Sequence, residues 1–391
     1  MTTVLLRPVD TWFFRESRPM DAIGGSELAS VFPPSPRLVL GALKTRLGEA
    51  LGADWQQYTE HPAAQEEIFR LIGDGSDEEG RRGALELHTL DLLYDANPLY
   101  PVPAFLLKHE KTFARLAPGE PVDCDLGRVR LPVLEPRLPG AKPPEDEWLD
   151  MQAMNAVLGG GLPPDGKLIE TKTLYRIEPR LGIARNNALG TVRESMLYQT
   201  RHVRPDHRLA FAATLSGWPE HVPPAGLVRL GGEGRLAAIE TADPVPTPPA
   251  PVPRADTCGL VLLLATAADF GGSWLPPGFT RETRQDGTGR PFDVFTGTLD
   301  DTDFRLVIHS ACLGKARREG GWDVRANTPR PVRSLVPAGS AYFCTVEGVP
   351  LADAIRALHG RRIGLETRLG RGRLFVGLWN QTHPTSRGNT P

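Results

Sequence analysis

The sequence predicts an α+β fold in two domains, on three observations. Short apolar runs of strand character recur along the chain, while few stretches show helical periodicity. The segment TADPVPTPPAPVPRAD at residues 241–256 is proline-rich with almost no large hydrophobics besides valine, and it reads as a stiff extended linker. The domain boundary is therefore placed there, between residues 1–240 and 257–391. Near the end the chain reads strand, helix, glycine loop, strand, a unit that fits an α+β sandwich with one sheet face open.

Length and composition bound the class. At 391 residues the chain can build a sizeable core without staples. A formal charge of −2 means that any nucleic-acid site must be a local basic patch. Cys124, Cys258, Cys312 and Cys344 form no C-x-x-C pair, so neither a zinc knuckle nor a disulfide framework is indicated, and buried free thiols in a reducing compartment are expected. The N-terminal apolar run is too short for a signal peptide, and no stretch approaches the ~18 apolar residues of a membrane span. A soluble cytoplasmic protein without membrane contact is expected.

Taken in order, Val4 to Leu6 is a short strand leading into PVDTWFFRESRPMD. There Trp12, Phe13 and Phe14 are followed by Arg15 and Arg18, which is either a core cluster with a charged rim or a site for stacking and neutralising RNA. Ser35 is a helix N-cap with Pro36 at the first helical position. Leu38, Val39, Ala42, Leu43, Leu47, Ala50 and Leu51 supply the apolar face, and Gly52 stops the helix. Arg37, Lys44 and Arg46 lie off that face. Residues 54–167 are the least periodic, with a short helix around Ala63 to Ile72, the acidic turn GDGSDEEG and proline-interrupted segments, and they read as an insertion in the first domain.

Met196 to Val203 and Leu209 to Leu215 read as two strands of a hairpin joined by RPDH, and the loop before them carries Arg180, Arg185, Asn186 and Asn187. Leu227 to Glu240 gives strand, glycine turn, strand. Cys258 to Ala265 is a buried strand by its continuous apolar run, and Phe304 to Ala311 is another by alternation. The segment between them, SWLPPGFTRETRQDGTGRPFDVF, reads as loop. Residues 330–346 deliver a further strand, and Leu351 to His359 is a helix closed by Gly360.

The stretch after that helix, GRRIGLETRLGRGRLFVGLW, is the sharpest candidate site. Gly360, Gly364, Gly370, Gly372 and Gly377 alternate with Arg361, Arg362, Arg368, Arg371 and Arg373. Glycine lets backbone N–H groups approach a ligand, and arginine offers forked donors that match phosphate. The pattern reads either as a loop cradling a polyanion or as a turn with solvated charges.

Catalytic patterns are absent: there is no P-loop, H-E-x-x-H, G-x-S-x-G or EF-hand. His202 and His207, near Tyr198 and Arg201, are the histidines that acid–base cleavage of RNA could use, though they also suit a surface or RNA contact. Asp300, Asp301 and Asp303 form an acidic cluster of the kind that holds a divalent ion, but DDTD at a strand entrance is usually a turn. No cofactor and no metal are expected.

Six blocks in fixed order then carry a resemblance: FFRESRPMD, SVFPPSPRLVLGALKTRLG, RLGIARNNALGTVRESMLYQTRHVR, LGGEGR, RPVRSLVPAGSAYF and IGLETRLGRGRLFVG. Together they resemble the family of the third subunit of the Cmr complex, a Cas-five-like RAMP-superfamily protein of type III-B CRISPR effectors. The resemblance implies two packed ferredoxin-like (RRM-like) domains, the first with a large irregular insertion. It also implies a non-catalytic subunit that holds the 5′ handle of the crRNA and bridges the large polymerase-type subunit to the guide-coating backbone subunit. Carried onto the matching blocks, the RNA contacts expected are Arg15, Arg18, Arg37, Lys44, Arg185, Asn186, Arg201, Arg368, Gly370, Arg371, Gly372 and Arg373. The alternative is a RAMP endoribonuclease that processes the CRISPR transcript with His202 or His207.

Overall fold

The computed structural model describes residues 1–16, 27–76, 78–134, 137–164, 168–186, 191–323 and 326–380. It is mixed α+β and dominated by strands. In the N-terminal half β1 (Thr2–Pro8), β2 (Glu86–Tyr94), β3 (Leu209–Ser216) and β4 (Leu236–Ala242) lie in the order β4–β1–β3–β2, each neighbouring pair antiparallel. Helix α1 (Pro36–Ala50) forms as its sequence requires: the Ser35 hydroxyl accepts from the Arg37 amide at 3.2 Å, and the chain turns away at Gly52 with φ +75°. Its buried residues Val39, Leu40, Leu43 and Leu47 recur at helical spacing and pack on Leu6, Leu87 and Phe211 of the sheet. The aromatic run joins this core, with Trp12 fully buried between Phe14 and Phe211 at centroid distances of 5.7 and 5.2 Å. Burial of each such ring stabilises the half by roughly 1.5–3 kcal/mol. These rings are therefore unavailable for stacking on bases.

In the C-terminal half β5 (Thr257–Leu264), β6 (Arg305–Cys312), β7 (Ala341–Glu347) and β8 (Leu374–Asn380) lie in the order β8–β5–β7–β6, again antiparallel. Helix α2 (Leu351–Leu358) covers one face, where Ala354, Ile355 and Leu358 meet Leu260, Leu262 and Leu264. The opposite face, expected to be open, is covered. Tyr100, Phe105, Leu149 and Met154 pack there against Val261, Leu263, Phe343 and Trp379. Burial on both faces is the physical reason β5 reads as one continuous apolar run.

The material on that face comes from within residues 54–167, which do more than loop out. Glu86–Tyr94 is β2 itself, a strand of the N-terminal sheet. The hairpin Thr112–Cys124 and Gly127–Leu134 joins the C-terminal sheet through a parallel bridge of Val129 to Asp293. Helix Met151–Leu158 packs on β8, where a Cβ on Gly377 would lie 3.5 Å from the Leu158 Cα. Arg115 clamps this junction by donating to the carbonyls of Gly161 at 3.3 Å and Leu378 at 3.1 Å, with its guanidinium 4.8 Å from the Phe105 ring centroid. Burial alone lowers its pKa to about 10, which still leaves it charged at neutral pH.

Two further expectations change. Leu209–Ser216 pairs with β1 and β2, not with the preceding strand. The actual hairpin is Tyr175–Asn186 with Thr191–Pro205, so Arg180, Arg185 and Asn186 lie on a strand and not in a loop. Similarly, the region between β5 and β6 contains a hairpin, Thr280–Gln285 with Pro291–Gly297, whose polar strand TRETRQ carries no apolar alternation. Residues 243–254 form no helix or strand.

Candidate nucleic-acid interface

The glycine–arginine stretch leaves α2 at Gly360, where φ is +82°. It folds back on its own backbone before entering β8. A Cβ on Gly372 would lie 1.9 Å from the Ile363 carbonyl oxygen, and φ there is +66°. The Gly372 amide donates to Ala267 O at 3.0 Å and the Gly370 carbonyl accepts from Thr266 Oγ1 at 2.8 Å. These groups are thus used internally. On its other side the loop lies along β2, with the Leu87 amide donating to Arg368 O at 3.0 Å. The stretch is a seam between the two halves.

Its arginines make the seam ionic. Arg371 is 3% exposed and donates to both Glu319 oxygens and, from Nε at 3.1 Å, to Glu366 Oε2. Arg373 is 7% exposed, donates to Asp91 Oδ1 on β2 at 3.1 Å, and lies 5.1 Å from the Phe375 ring centroid. A buried guanidinium is tolerable only when paired and hydrogen-bonded, and no local pattern in the sequence reveals these partners. Burial pushes the Glu319 carboxyl up, but the charge and hydrogen bonds of Arg371 outweigh it and hold the group below its ordinary value. Glu319 also accepts from the Ser35 hydroxyl at 2.6 Å, which ties the start of α1 to the seam. Arg37, at the start of that helix, donates to Glu366. Arg368 is half-buried in the same loop, whereas Lys44 lies farther along α1 and donates to Arg82 O. Beneath the seam is a cavity of about 260 Å³ lined by Pro33, Leu92, Tyr100 and Trp148 from one side and by Arg317 and Phe375 from the other.

A second cationic surface lies on the long hairpin. Arg180, Arg204 and Arg235 surround Asp10 at 3.1–3.2 Å, and Arg180 and Arg204 also engage Glu178. Hydrogen bonds from Arg204 and then Arg180 draw the Glu178 carboxyl down to about 2. Reading Arg180 in a loop hides this cluster; the period-two spacing of Glu178 with Arg180, which puts both on one face of a strand, is the signal that could have found it. Arg201 is half exposed and paired with Glu27 at 2.5 Å. Arg15 is exposed and its segment bridges Ser30 beside this sheet, so the structure places Arg15 near the strand of Arg201. Arg18 and the side chains of Arg185 and Asn186 fall outside the described residues.

The histidines divide. His202 is 1% exposed, stacks on Phe13 at 5.1 Å, and has a threonine hydroxyl 3.1 Å from each ring nitrogen, Thr11 at Nδ1 and Thr200 at Nε2. Burial first, then the charges of Arg180 and Arg235, hold its pKa down to about 4. It is a buried histidine that stays neutral at pH 7. His207 is exposed, 3.5 Å from Asp206. Asp301 sits in a turn with φ +57° and faces Arg361 at 3.5 Å. Among the described residues no group of three or more His, Cys, Asp or Glu could hold a metal ion, and no helix is long and apolar enough to cross a membrane.

The family model described as CRISPR-associated protein (Cas_Cmr3) matches residues 4–379 of the chain. No curated protein matches it. Among solved structures the chain is similar to a chain of the type III-B Cmr-beta complex bound to cognate target RNA and AMPPnP, with 13% identity over 87% of this chain and 86% of that one and a TM-score of 0.45. It is likewise similar to a chain of that complex bound to cognate target RNA, with 14% identity, the same coverage and a TM-score of 0.45. A third likeness is to a chain of the Csm3–Csm4 subcomplex of a type III-A interference complex, with 9% identity over 97% of this chain and 100% of that one and a TM-score of 0.36.

Proposed function

The chain belongs to the Cas_Cmr3 family of CRISPR-associated proteins, and from that premise we propose that it is a non-catalytic, crRNA-binding subunit of a type III-B effector. In this reading it acts in the cytoplasm, anchors the repeat-derived 5′ handle, and bridges the large polymerase-type subunit to the backbone subunit that coats the guide. The observation that carries the reading is the family match from residue 4 to residue 379, which spans both halves and the segments between them. The four-strand orders β4–β1–β3–β2 and β8–β5–β7–β6, with α1 between β1 and β2 and α2 between β7 and β8, support two ferredoxin-like domains in which a hairpin or loop stands at the other helix position of each.

The geometry divides the labour among the cations. Arg15 and Arg201 are exposed beside the hairpin and suit phosphate contacts, with Arg18, Arg185 and Asn186 on the same segments. Arg37 lies at the start of α1 next to the seam, and Lys44 lies farther along that helix. Arg371 and Arg373, through their carboxylate partners, hold the loop in shape together with the buried Gly370 and Gly372, so among these residues the half-buried Arg368 is the one placed to meet RNA. The test is co-purification with the neighbouring CRISPR proteins followed by sequencing of the bound RNA. Handle-bearing crRNA is expected, and an intact assembly carrying random RNA or none would remove the handle-binding role.

A further inference from the structure

The long hairpin carries more positive charge than its own carboxylates neutralise. Arg180, Arg204 and Arg235 each reach Asp10 within 3.1–3.2 Å, and Arg180 and Arg204 also engage Glu178. Three guanidinium groups thus share two carboxylates, and no described residue supplies a third. One positive charge is left over at neutral pH.

Arg176 adds a second. It stands directly across the ladder from Arg204, and its period-two spacing puts it on the face of Glu178 and Arg180. Its side chain is exposed and makes no hydrogen bond or ion pair with any described residue. Like charges directly opposite each other on a sheet face destabilise the pair. Arg204 does not relieve this, because its Nε is given to Glu178 and its Nη1 to Asp10 at 3.1 Å. The two arginines also wall an open groove of about 540 Å³ together with Lys172, Tyr175 and His207. Lys172 and His207 are more than four-fifths exposed at its rim. Asp206 is the one carboxylate among the described residues of the wall, and Arg208 Nε already holds it at 2.9 Å.

We infer that the groove between Arg176 and Arg204 binds a phosphate of single-stranded RNA, with the phosphodiester lying between the two guanidinium groups as the anion this face lacks. Guanidinium forks match the paired non-bridging oxygens of a phosphodiester. Arg201 is three residues, about 10 Å, back along the strand of Arg204 and is half exposed, within reach of the same RNA chain. The inference rests on the RNA-binding reading above and extends the RNA path from Arg15 and Arg201 to the open end of the hairpin, where none of the expected contacts lies.

The test uses the full chain and an unstructured single-stranded RNA oligomer, with affinity read by fluorescence anisotropy over a salt series. Arg176→Gln is compared with Arg356→Gln, which changes the net charge equally at an exposed pair with Asp353 on α2. Arg176 has no described partner to lose, so Arg176→Gln should melt with the wild type. It is expected to bind RNA at least ~3-fold more weakly than Arg356→Gln, with the salt slope lower by roughly 0.7–1, the increment of one phosphate. Arg176→Glu puts opposite charges across the ladder and a like charge against the RNA. Its Tm should be no lower than that of the wild type, while its RNA affinity falls further than that of Arg176→Gln. Equal affinities and slopes for Arg176→Gln and Arg356→Gln would overturn the site and leave the RNA-binding function standing. Unchanged RNA binding with loss of binding to a labelled poly-glutamate peptide would assign the groove to an acidic protein, which also overturns it. If the wild type binds no RNA, the function fails, and thermal melts in inorganic phosphate against chloride at equal ionic strength test the anion site alone. A phosphate-dependent rise in Tm that Arg176→Gln abolishes supports it, and no rise overturns it.

Discussion

Replacing Arg371 by methionine tests whether the glycine–arginine loop is a structural seam. The guanidinium and its partner Glu319 are 3% and 9% exposed, so solvent screens the pair little. Removing one member of a buried pair typically costs about 3–5 kcal/mol, because the other charge stays buried. Here Glu319 keeps the Ser35 hydroxyl at 2.6 Å and the field of Arg317, which places the expected loss at about 3 kcal/mol. For a cooperative unit of 150–250 residues that is roughly a 6–12 °C fall in Tm. Thermal melts followed by tryptophan fluorescence read it directly. Adding Glu319→Gln to Arg371→Met removes the stranded charge, so the double variant should be more stable than the sum of the two singles predicts, by more than about 1 kcal/mol. The same pair sets an acid limb. The folded Glu319 carboxyl lies below its ordinary value, so the pair stabilises above the ordinary carboxylate range and the contribution is lost as pH falls through the folded value. Arg371→Met should flatten that limb. A cost below about 1 kcal/mol, the scale of exposed pairs, together with an additive cycle, would refute the seam and return Arg371 to the phosphate contacts.

Three other outcomes follow from the geometry. Gly372→Ala should destabilise the chain by more than about 2 kcal/mol, because φ is +66° and the added methyl meets Ile363 O at 1.9 Å; denaturant unfolding measures it. His202, with a folded pKa near 4 against an ordinary value near 6.5, takes up its proton in the unfolded state first, so stability should fall as pH drops from about 6.5 to 4 by roughly 3 kcal/mol. His202→Phe should remove that component from the pH–stability profile. The double variant Arg15→Ala with Arg201→Ala should weaken RNA binding and lower the salt slope by about two without a change in Tm, since both side chains are at the surface.

Several elements were legible because their causes are local. Ser35 followed by Pro36 starts α1 through one side-chain acceptor and a preset φ, and Gly52 ends it; neither depends on the rest of the chain. The apolar run in β5 announced a buried strand, though not the cover on its second face, and the prolines of 241–256 announced an extended stretch, of which 243–254 form neither helix nor strand. The six ordered blocks named the family, since block order survives where pairwise identity is low. Strand pairing was less legible. Thr191–Pro205 and Leu209–Ser216 are separated by a tight turn that looks like a hairpin, yet each finds its partner elsewhere, because the apolar Leu209–Ser216 is needed between β1 and β2.

Composition by itself determined that glycines and arginines would be interleaved at the end of the chain, and that the site there would be built from close backbone approaches and guanidinium forks. Which backbone and which anions lay with the tertiary structure. A glycine that admits a ligand and a glycine that admits the chain's own Ile363 carbonyl are the same letter in sequence, and so are an arginine awaiting a phosphate and one already held by a carboxylate. Glu319 lies 52 residues before Arg371 and Asp91 lies 282 before Arg373, so only closure of the whole chain could bring them together. Local pattern decides which residues go inside, but long-range folding decides which opposite charge is waiting for them there.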